Sequence, residues 1–215
     1  MGKHDTHPGN RADTKPPRHV AVAIVFSPNT RKILMITSRA HPHLWILPKG
    51  GIEHGESSGQ AAVRESYEEG EYAGSSLHSI TGTPSDVPPP TDEDRLVVLS
   101  LPSKKRSAIW HVHVLEVDQE VVESTSTWPE SHQRQRAWFT PSAALENIQQ
   151  WYTDESAKKE VDPGTDLEDE HEQDGKKGKG KVKESGEERR GKKDKKGGAM
   201  EEALRKFITL KGLDI

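Results

Sequence analysis

Residues 50–72 read GGIEHGESSGQAAVRESYEEGEY, and this stretch decides the fold. Within it Gly50, Glu56, Arg64, Glu65, Glu68 and Glu69 fall at the spacing G-x5-E-x7-R-E-x-x-E-E, with Gly51 completing a glycine pair. Four carboxylates and one guanidinium occupy the fourteen residues from Glu56 to Glu69. On a helix, Glu65 and Glu69 stack one turn apart on one face, and Glu68 flanks both. Like charges so placed repel by ~0.2–0.5 kcal/mol a pair. A hard divalent cation neutralises such a cluster. Carboxylate oxygens suit Mg²⁺, with Mn²⁺ as the alternative, better than zinc. The plainer reading, a solvated acidic helix face, leaves the residues in front of the helix unexplained.

Those residues are a short apolar run, Trp45-Ile46-Leu47, followed by the turn signal Pro48-Lys49-Gly50-Gly51. Ser57 or Ser58 can then cap a helix over 58–69. Its apolar side is Ala62, Val63, Ser66 and Tyr67, with the acids on its exposed face. Working outward, 18–26 (RHVAVAIVF) is a continuous β-prone run, and 27–30 turn it back into 32–37 (KILMIT), a hairpin. Residues 76–82 are a further strand candidate, followed by a proline-rich loop over 84–94. Residues 96–101 and 107–117 form a second antiparallel pair, and 133–140 form another strand. In the second pair, His111 and His113 read as substrate-facing or simple surface residues. Thr140-Pro141 opens a helix with a capping hydroxyl and proline at the first position, lined by Ala144, Leu145, Ile148 and Trp151. Met200, Ala203, Leu204, Phe207 and Ile208 mark a last amphipathic helix, with Gly212 beyond its end. The expected class is α/β of the α+β kind, a mixed β-sheet sandwiched between helices.

Hydrophobic content of 30% against 31% charged is too polar for all 215 residues to be globular. The polar excess is concentrated in 154–197, acidic over 166–174 and lysine-rich over 176–196. Such a segment cannot offset its ordering entropy, so disorder is expected. The organisation read from the chain is a flexible tail over 1–17, an ordered domain over 18–152, a disordered charged insert over 153–197, and a closing helix over 198–215 that packs back on the domain. Long surface insertions cost little, because closure entropy grows only logarithmically with length. With no cysteine there is no disulfide, thiolate site or cysteine nucleophile. No run approaches the ~20 apolar residues of a membrane span, so a cytoplasmic or nuclear protein is expected. The lysine run at 176–183 is a solvated tether, a nuclear signal or a nucleic-acid contact.

The spacing around Glu56 and Arg64 resembles the signature of the Nudix hydrolases, G-x5-E-x7-R-E-U-x-E-E-x-G-U, where U is bulky and aliphatic. The stretches Ala40-His41-Pro42, WILPKGGIEHGES, SHQRQRAWF (131–139) and EEALRKF look like the fungal branch of the diphosphoinositol polyphosphate phosphohydrolases. That branch also hydrolyses diadenosine polyphosphates. The resemblance implies the Nudix fold, Mg²⁺ held by Glu65 and Glu69 with a backbone carbonyl at Lys49 or Gly50, and Glu68 as general base. Family members differ on the base, so the choice among Glu65, Glu68 and Glu69 stays open. Arg64 reads as an organiser that pairs with Glu56 or Glu68 and fixes the acids' rotamers. A dense polyanion needs a cradle of cations. The candidates are Arg18, Ser38, Arg39, Ala40, Lys49, Arg106 with its neighbours Lys104 and Lys105, Arg134 and Arg136. Two positions depart from the signature. Ser66 replaces the aliphatic residue, and Glu71 stands where the helix-ending glycine belongs, one residue after Gly70. Three alternatives stay open. A nucleotide-specific Nudix hydrolase, acting on diadenosine polyphosphate, ADP-ribose or an RNA cap, would need an aromatic clamp from Trp110, Trp138 or Tyr72. A binding module would have kept the fold and lost turnover. RNA binding would run through the lysine-rich insert.

Overall fold

The computed structural model describes residues 16–70, 95–101, 107–154 and 195–215. The elements in chain order are β1 (Arg18–Ser27), β2 (Lys32–Thr37), β3 (Trp45–Ile46), β4 (Lys49–Gly51), α1 (Ser58–Gly70), β5 (Arg95–Leu101), β6 (Ala108–Glu116), α2 (Gln119–Ser124), β7 (Arg136–Phe139), α3 (Pro141–Thr153) and α4 (Lys195–Lys211). The strands form one mixed sheet in the order β3-β2-β1-β6-β5, with β4 added to β1 and β7 to β2. Among the described strands only β1 and β6 run parallel, paired from Arg18↔Ala108 to Phe26↔Glu116. Every other pairing is antiparallel, including the expected hairpin of β1 with β2 and the pair β5–β6.

Alternation along β1 creates the layers, because successive side chains point to opposite faces. Val20, Val22, Ile24 and Phe26 join Trp110 and Val112 of β6 in a cluster with Ile148 and Trp151 of α3 and Met200, Leu204 and Phe207 of α4. Phe26 meets Phe207 edge-on at 5.0 Å between ring centroids. On the opposite face Ala21, Ala23 and Val25, with Leu34 and Leu115, pack under Ala61, Ala62 and Val63 of α1. Large residues on one face and alanines on the other let α1 lie close to the sheet. The result is a sheet between α1 on one side and the α3–α4 pair on the other.

Local chemistry fixes the helix ends. Thr140 caps α3, its hydroxyl accepting from the Ala143 amide at 3.3 Å, with Pro141 at the first position. The Trp151 indole donates to the Trp45 carbonyl at 2.9 Å and ties α3 to β3. The Tyr152 hydroxyl donates to Glu201 at 2.6 Å and ties α3 to α4. Gly212, just past α4, has φ +59°, the left-handed cap that its position suggests.

Several expectations change. Lys49–Gly51 reads as a turn by glycine content, yet it pairs with Val20–Val22, so tertiary pairing overrides local propensity. The short α2 has no counterpart in the sequence reading. Glu65 and Glu69, expected on an exposed helix face, are 9% and 4% exposed. His113 is fully buried rather than at the surface. Glu71, Tyr72, Lys104, Lys105, Arg106, the strand and loop candidates at 76–82 and 84–94, the lysine run at 176–183 and residues 1–15 of the tail lie outside the described residues. Among the described residues no helix is long and apolar enough to cross a membrane.

Candidate functional site

The site is built where α1 begins, runs and ends. At its start Ser57 and Gln60 form a reciprocal box. The Gln60 amide donates to the Ser57 hydroxyl at 3.2 Å, and the Ser57 amide donates to the Gln60 side chain at 2.8 Å. Ser58, one of the two capping candidates, instead meets Nε2 of the buried His113 at 3.0 Å. That contact fastens the N-terminal end of α1 to β6.

Midway along α1, Arg64 spends its donors on five acceptors. Nε and Nη2 grip the two oxygens of Glu56 at 3.0 Å each. Nη1 donates to Glu65 at 2.7 Å and to Glu68 at 3.3 Å, while Nη2 also reaches the Gly51 carbonyl at 2.8 Å. Burial disfavours its charge, but the bonds to Glu56 and Glu65 outweigh that and hold the guanidinium more firmly protonated than usual. Arg64 is therefore a positioning residue that ties three acids to the strand in front of them. Its partners include both expected acids, Glu56 and Glu68, and also Glu65.

Opposite Arg64, the carboxyl group of Glu65 lies where a side chain of residue 50 would be. A Cβ on Gly50 would fall 1.9 Å from Cδ of Glu65 and 2.0 and 2.1 Å from its oxygens. Gly50 has no positive φ, so it is needed for close approach rather than for backbone freedom. Lys49 contributes its amide, which donates to Oε2 of Glu69 at 2.8 Å. Oε1 of Glu69 pairs with Nη2 of Arg134 at 2.6 Å. Gly70 is also a residue of close approach, since a Cβ there would lie 3.1 Å from Leu34.

The stretch ahead of β7 closes the site. Arg134, only 6% exposed, donates from Nε to Glu130 at 2.7 Å and from Nη1 to the Thr37 carbonyl at 3.0 Å, besides holding Glu69. Glu130 also takes Arg39, and its amide donates to the Glu68 carbonyl at 3.1 Å. Arg136 is turned away from the acids. It donates to the carbonyls of Gly70 at 2.9 Å, Val122 at 2.8 Å and Thr125, and it stacks on Trp128 at 4.2 Å. Arg136 thus holds the last turn of α1.

The remaining candidates divide. Arg18 is half-buried at the start of β1, and its charge helps to depress Lys49. Ser38 is turned inward, its hydroxyl accepting from the His41 amide at 3.3 Å, so it shapes the turn after β2. Ala40 is exposed. Of the aromatic clamp candidates, Trp110 is consumed by the core. His111 pairs with His19, their ring nitrogens 3.0 Å apart, beside Arg95. Glu130 escaped the sequence reading, because a lone acid in a polar stretch carries no spacing signal.

Burial governs the electrostatics. It lifts the carboxyl groups of Glu65 and Glu68 above the ordinary range, with Arg64 pulling the other way in both. It pushes Glu69 up to about 7 against the pull of Arg134 and Lys49, and it lowers the Lys49 ammonium. Among the described residues no three His, Asp or Glu side chains converge as a preformed ligand set. The donors nevertheless fit a hard divalent cation. Three carboxylates line one stretch of helix, Gly50 leaves the space that one of them occupies, and burial raises the pKa of all three, so each would gain from a hard cation beside it. Glu65, Glu68 and Glu69 are the residues able to hold it.

Over 118 residues the chain is 30% identical to human diphosphoinositol polyphosphate phosphohydrolase 3-beta, covering 55% of this chain and 60% of that one. It is also 30% identical to mouse diphosphoinositol polyphosphate phosphohydrolase 2 over 118 residues, covering 55% of each. The match therefore spans 55–60% of the length of these relatives. Among solved structures, a C. elegans Ap4A hydrolase binary complex aligns with TM-score 0.45 and 16% identity, over 91% of this chain and 98% of that one. Residues 17–161, about two thirds of the 215, match the NUDIX domain, and the chain belongs to the Nudix family.

Proposed function

We propose that this chain is a divalent-cation-dependent hydrolase of phosphoanhydride bonds in highly phosphorylated small molecules. Diphosphoinositol polyphosphates are the first substrate class and diadenosine polyphosphates a second, with Mg²⁺ as the working ion. The carrying observation is Glu65 seated against Gly50 while Arg64 holds it at 2.7 Å. That is a pre-positioned carboxylate rather than a surface charge. Similarity to diphosphoinositol polyphosphate phosphohydrolases over 118 residues supports the substrate class.

A bound divalent cation would neutralise phosphate oxygens and acidify a water. The chain's own part follows from geometry. Glu65 and Glu69, the two most buried acids among the described residues, are the ligands. Glu68 has 41% of its side chain exposed and only the long 3.3 Å bond to Arg64, so it is the acid with reach to a water. Its burial-raised pKa suits a general base. Glu68 takes the proton as the water oxygen bonds to phosphorus, and the bridging oxygen leaves with the departing phosphate. Arg18 and Arg39 supply positive charge for the substrate, whereas Lys49 is buried with its ammonium pKa lowered and serves through its amide bond to Glu69. Arg106 is proposed as a further contact. Arg136 is left out, since its donors are bound to backbone carbonyls. Trp110 is taken up by the core and is unavailable as a nucleobase clamp.

The test is release of the β-phosphate from a diphosphoinositol pentakisphosphate with Mg²⁺, beside the Glu69→Gln variant. Turnover by the parent alone supports the proposal. Cleavage of diadenosine hexaphosphate alone would move the enzyme to nucleotides, and silence on both would favour a binding module.

A further inference from the structure

Arg134 and the divalent cation need the same carboxylate. Both oxygens of Glu69 are engaged, Oε1 by the Arg134 guanidinium at 2.6 Å and Oε2 by the Lys49 amide at 2.8 Å. A Mg²⁺ or Mn²⁺ ion sits about 2 Å from a carboxylate oxygen. An ion on Oε1 would therefore face the guanidinium at close range, in a nearly dry setting where like charges repel strongly. The Lys49 amide carries no net charge and has no such conflict. Arg134 is also the better anchored of the two competitors. Its Nε stays on Glu130 at 2.7 Å and its Nη1 on the Thr37 carbonyl at 3.0 Å whether or not Nη2 keeps Glu69.

We infer that Arg134 is a built-in counter-ion that occupies Glu69 in the absence of a divalent cation, and so sets how tightly the site binds one. The inference rests on the proposed metal site and deepens it. Glu69 is 4% exposed, and an unpaired buried carboxylate is strongly destabilising, so the guanidinium keeps the empty site folded. The same contact weakens ion binding, because Glu69 must give up one charge-assisted bond to serve as a ligand. Once Glu69 is given up, Nη2 is an open donor beside the acids, within the same cluster as Arg39 and Glu130. A phosphate group is the natural acceptor for it. Ion binding and phosphate binding then favour each other, as linkage requires. Arg134 is a positioning residue in this scheme.

The experiment is a double-mutant cycle on the full chain, reading Mn²⁺ affinity by electron paramagnetic resonance with no substrate present. The four proteins are the wild type, Glu69→Gln, Arg134→Gln and the double variant. With Glu69 in place, Arg134→Gln should tighten Mn²⁺ about tenfold, the equivalent of one charge-assisted hydrogen bond. In the Glu69→Gln background the same change should have no effect. A gain of equal size in both backgrounds would show a through-space charge effect, and unchanged or weaker binding would show that Arg134 supports the site. Either result overturns the inference. If Arg134→Gln fails to fold by circular dichroism, Arg134→Lys replaces it. Lysine keeps the charge but cannot span Glu130, Thr37 and Glu69 together, so Mn²⁺ should still bind several-fold tighter. Unchanged affinity in that variant also overturns it. Absence of Mn²⁺ binding to the wild type is a separate outcome, which removes the metal-hydrolase proposal and this inference with it.

Discussion

Substituting Gly50 by alanine isolates one contact. The added methyl would lie 1.9 Å from Cδ of Glu65, where ordinary contact begins near 3.4 Å, so the carboxyl group must retreat by about 1.5 Å. Backbone conformation adds nothing, because Gly50 has no positive φ. The retreat stretches the 2.7 Å bond from Arg64, a charge-assisted bond whose loss costs about 1.5–3 kcal/mol. A shift of that size in a reacting or ligating group costs on the order of 10²-fold in rate. Urea unfolding should show a loss of about 2 kcal/mol. Mn²⁺ titration should show weaker binding, and phosphate release about a hundredfold lower kcat/KM. The discriminating control is Glu65→Ala. In that background the methyl has nothing to strike, so Gly50→Ala should carry no further stability cost. Persistence of the cost without Glu65 would refute the close-approach explanation, as would an alanine variant that binds Mn²⁺ like the wild type.

Other consequences are open to direct test. Arg136→Ala removes three bonds to backbone carbonyls and the stack on Trp128, and should cost about 2–4 kcal/mol in chemical denaturation. Phe207→Ala opens a cavity between α4 and Phe26, and should cost about 3–5 kcal/mol by the same measurement. Hydrogen bonds from Tyr152, then Arg205 and Gln149, hold Glu201 below the ordinary carboxylate range. A depressed pKa contributes stability that is present above about pH 4.5 and is lost as pH falls through the folded-state value. Thermal scans from pH 6 to pH 3 should therefore show a steeper decline in the wild type than in Glu201→Gln, and parallel curves would count against the link. Ser57→Ala should cost about 1 kcal/mol through loss of the reciprocal cap.

The strands and helices that obey one period were legible from the chain. Residues 18–26, 32–37 and 107–117 lie within one or two residues of β1, β2 and β6, and Thr140-Pro141 marks the start of α3. What escaped depends on partners distant in sequence. Lys49-Gly50-Gly51 is a strand only because β1 lies beside it, and local glycine content says the opposite. Polarity alone places the acids of α1 on an exposed face, whereas packing buries Glu65 and Glu69. The glycine pair ahead of them was the available sign that one carboxylate is packed inward. Glu130 acquires meaning only when the stretch before β7 folds over α1, which spacing does not encode. Arg136 looked like a ligand for phosphate because a guanidinium serves carbonyls and phosphates with the same donors.

The alanines beneath α1 give the site an adjustable height. Ala21 and Ala23 separate the acid-bearing helix from the middle of the sheet, and both are fully buried. Enlarging either one lifts Glu65, Glu68 and Glu69 together relative to Gly50 and Lys49, without altering any charged group. Variation in catalytic rate among related sequences can then arise under the helix, at positions that touch neither substrate nor ion. A search for tuning mutations should begin with the smallest side chains of β1.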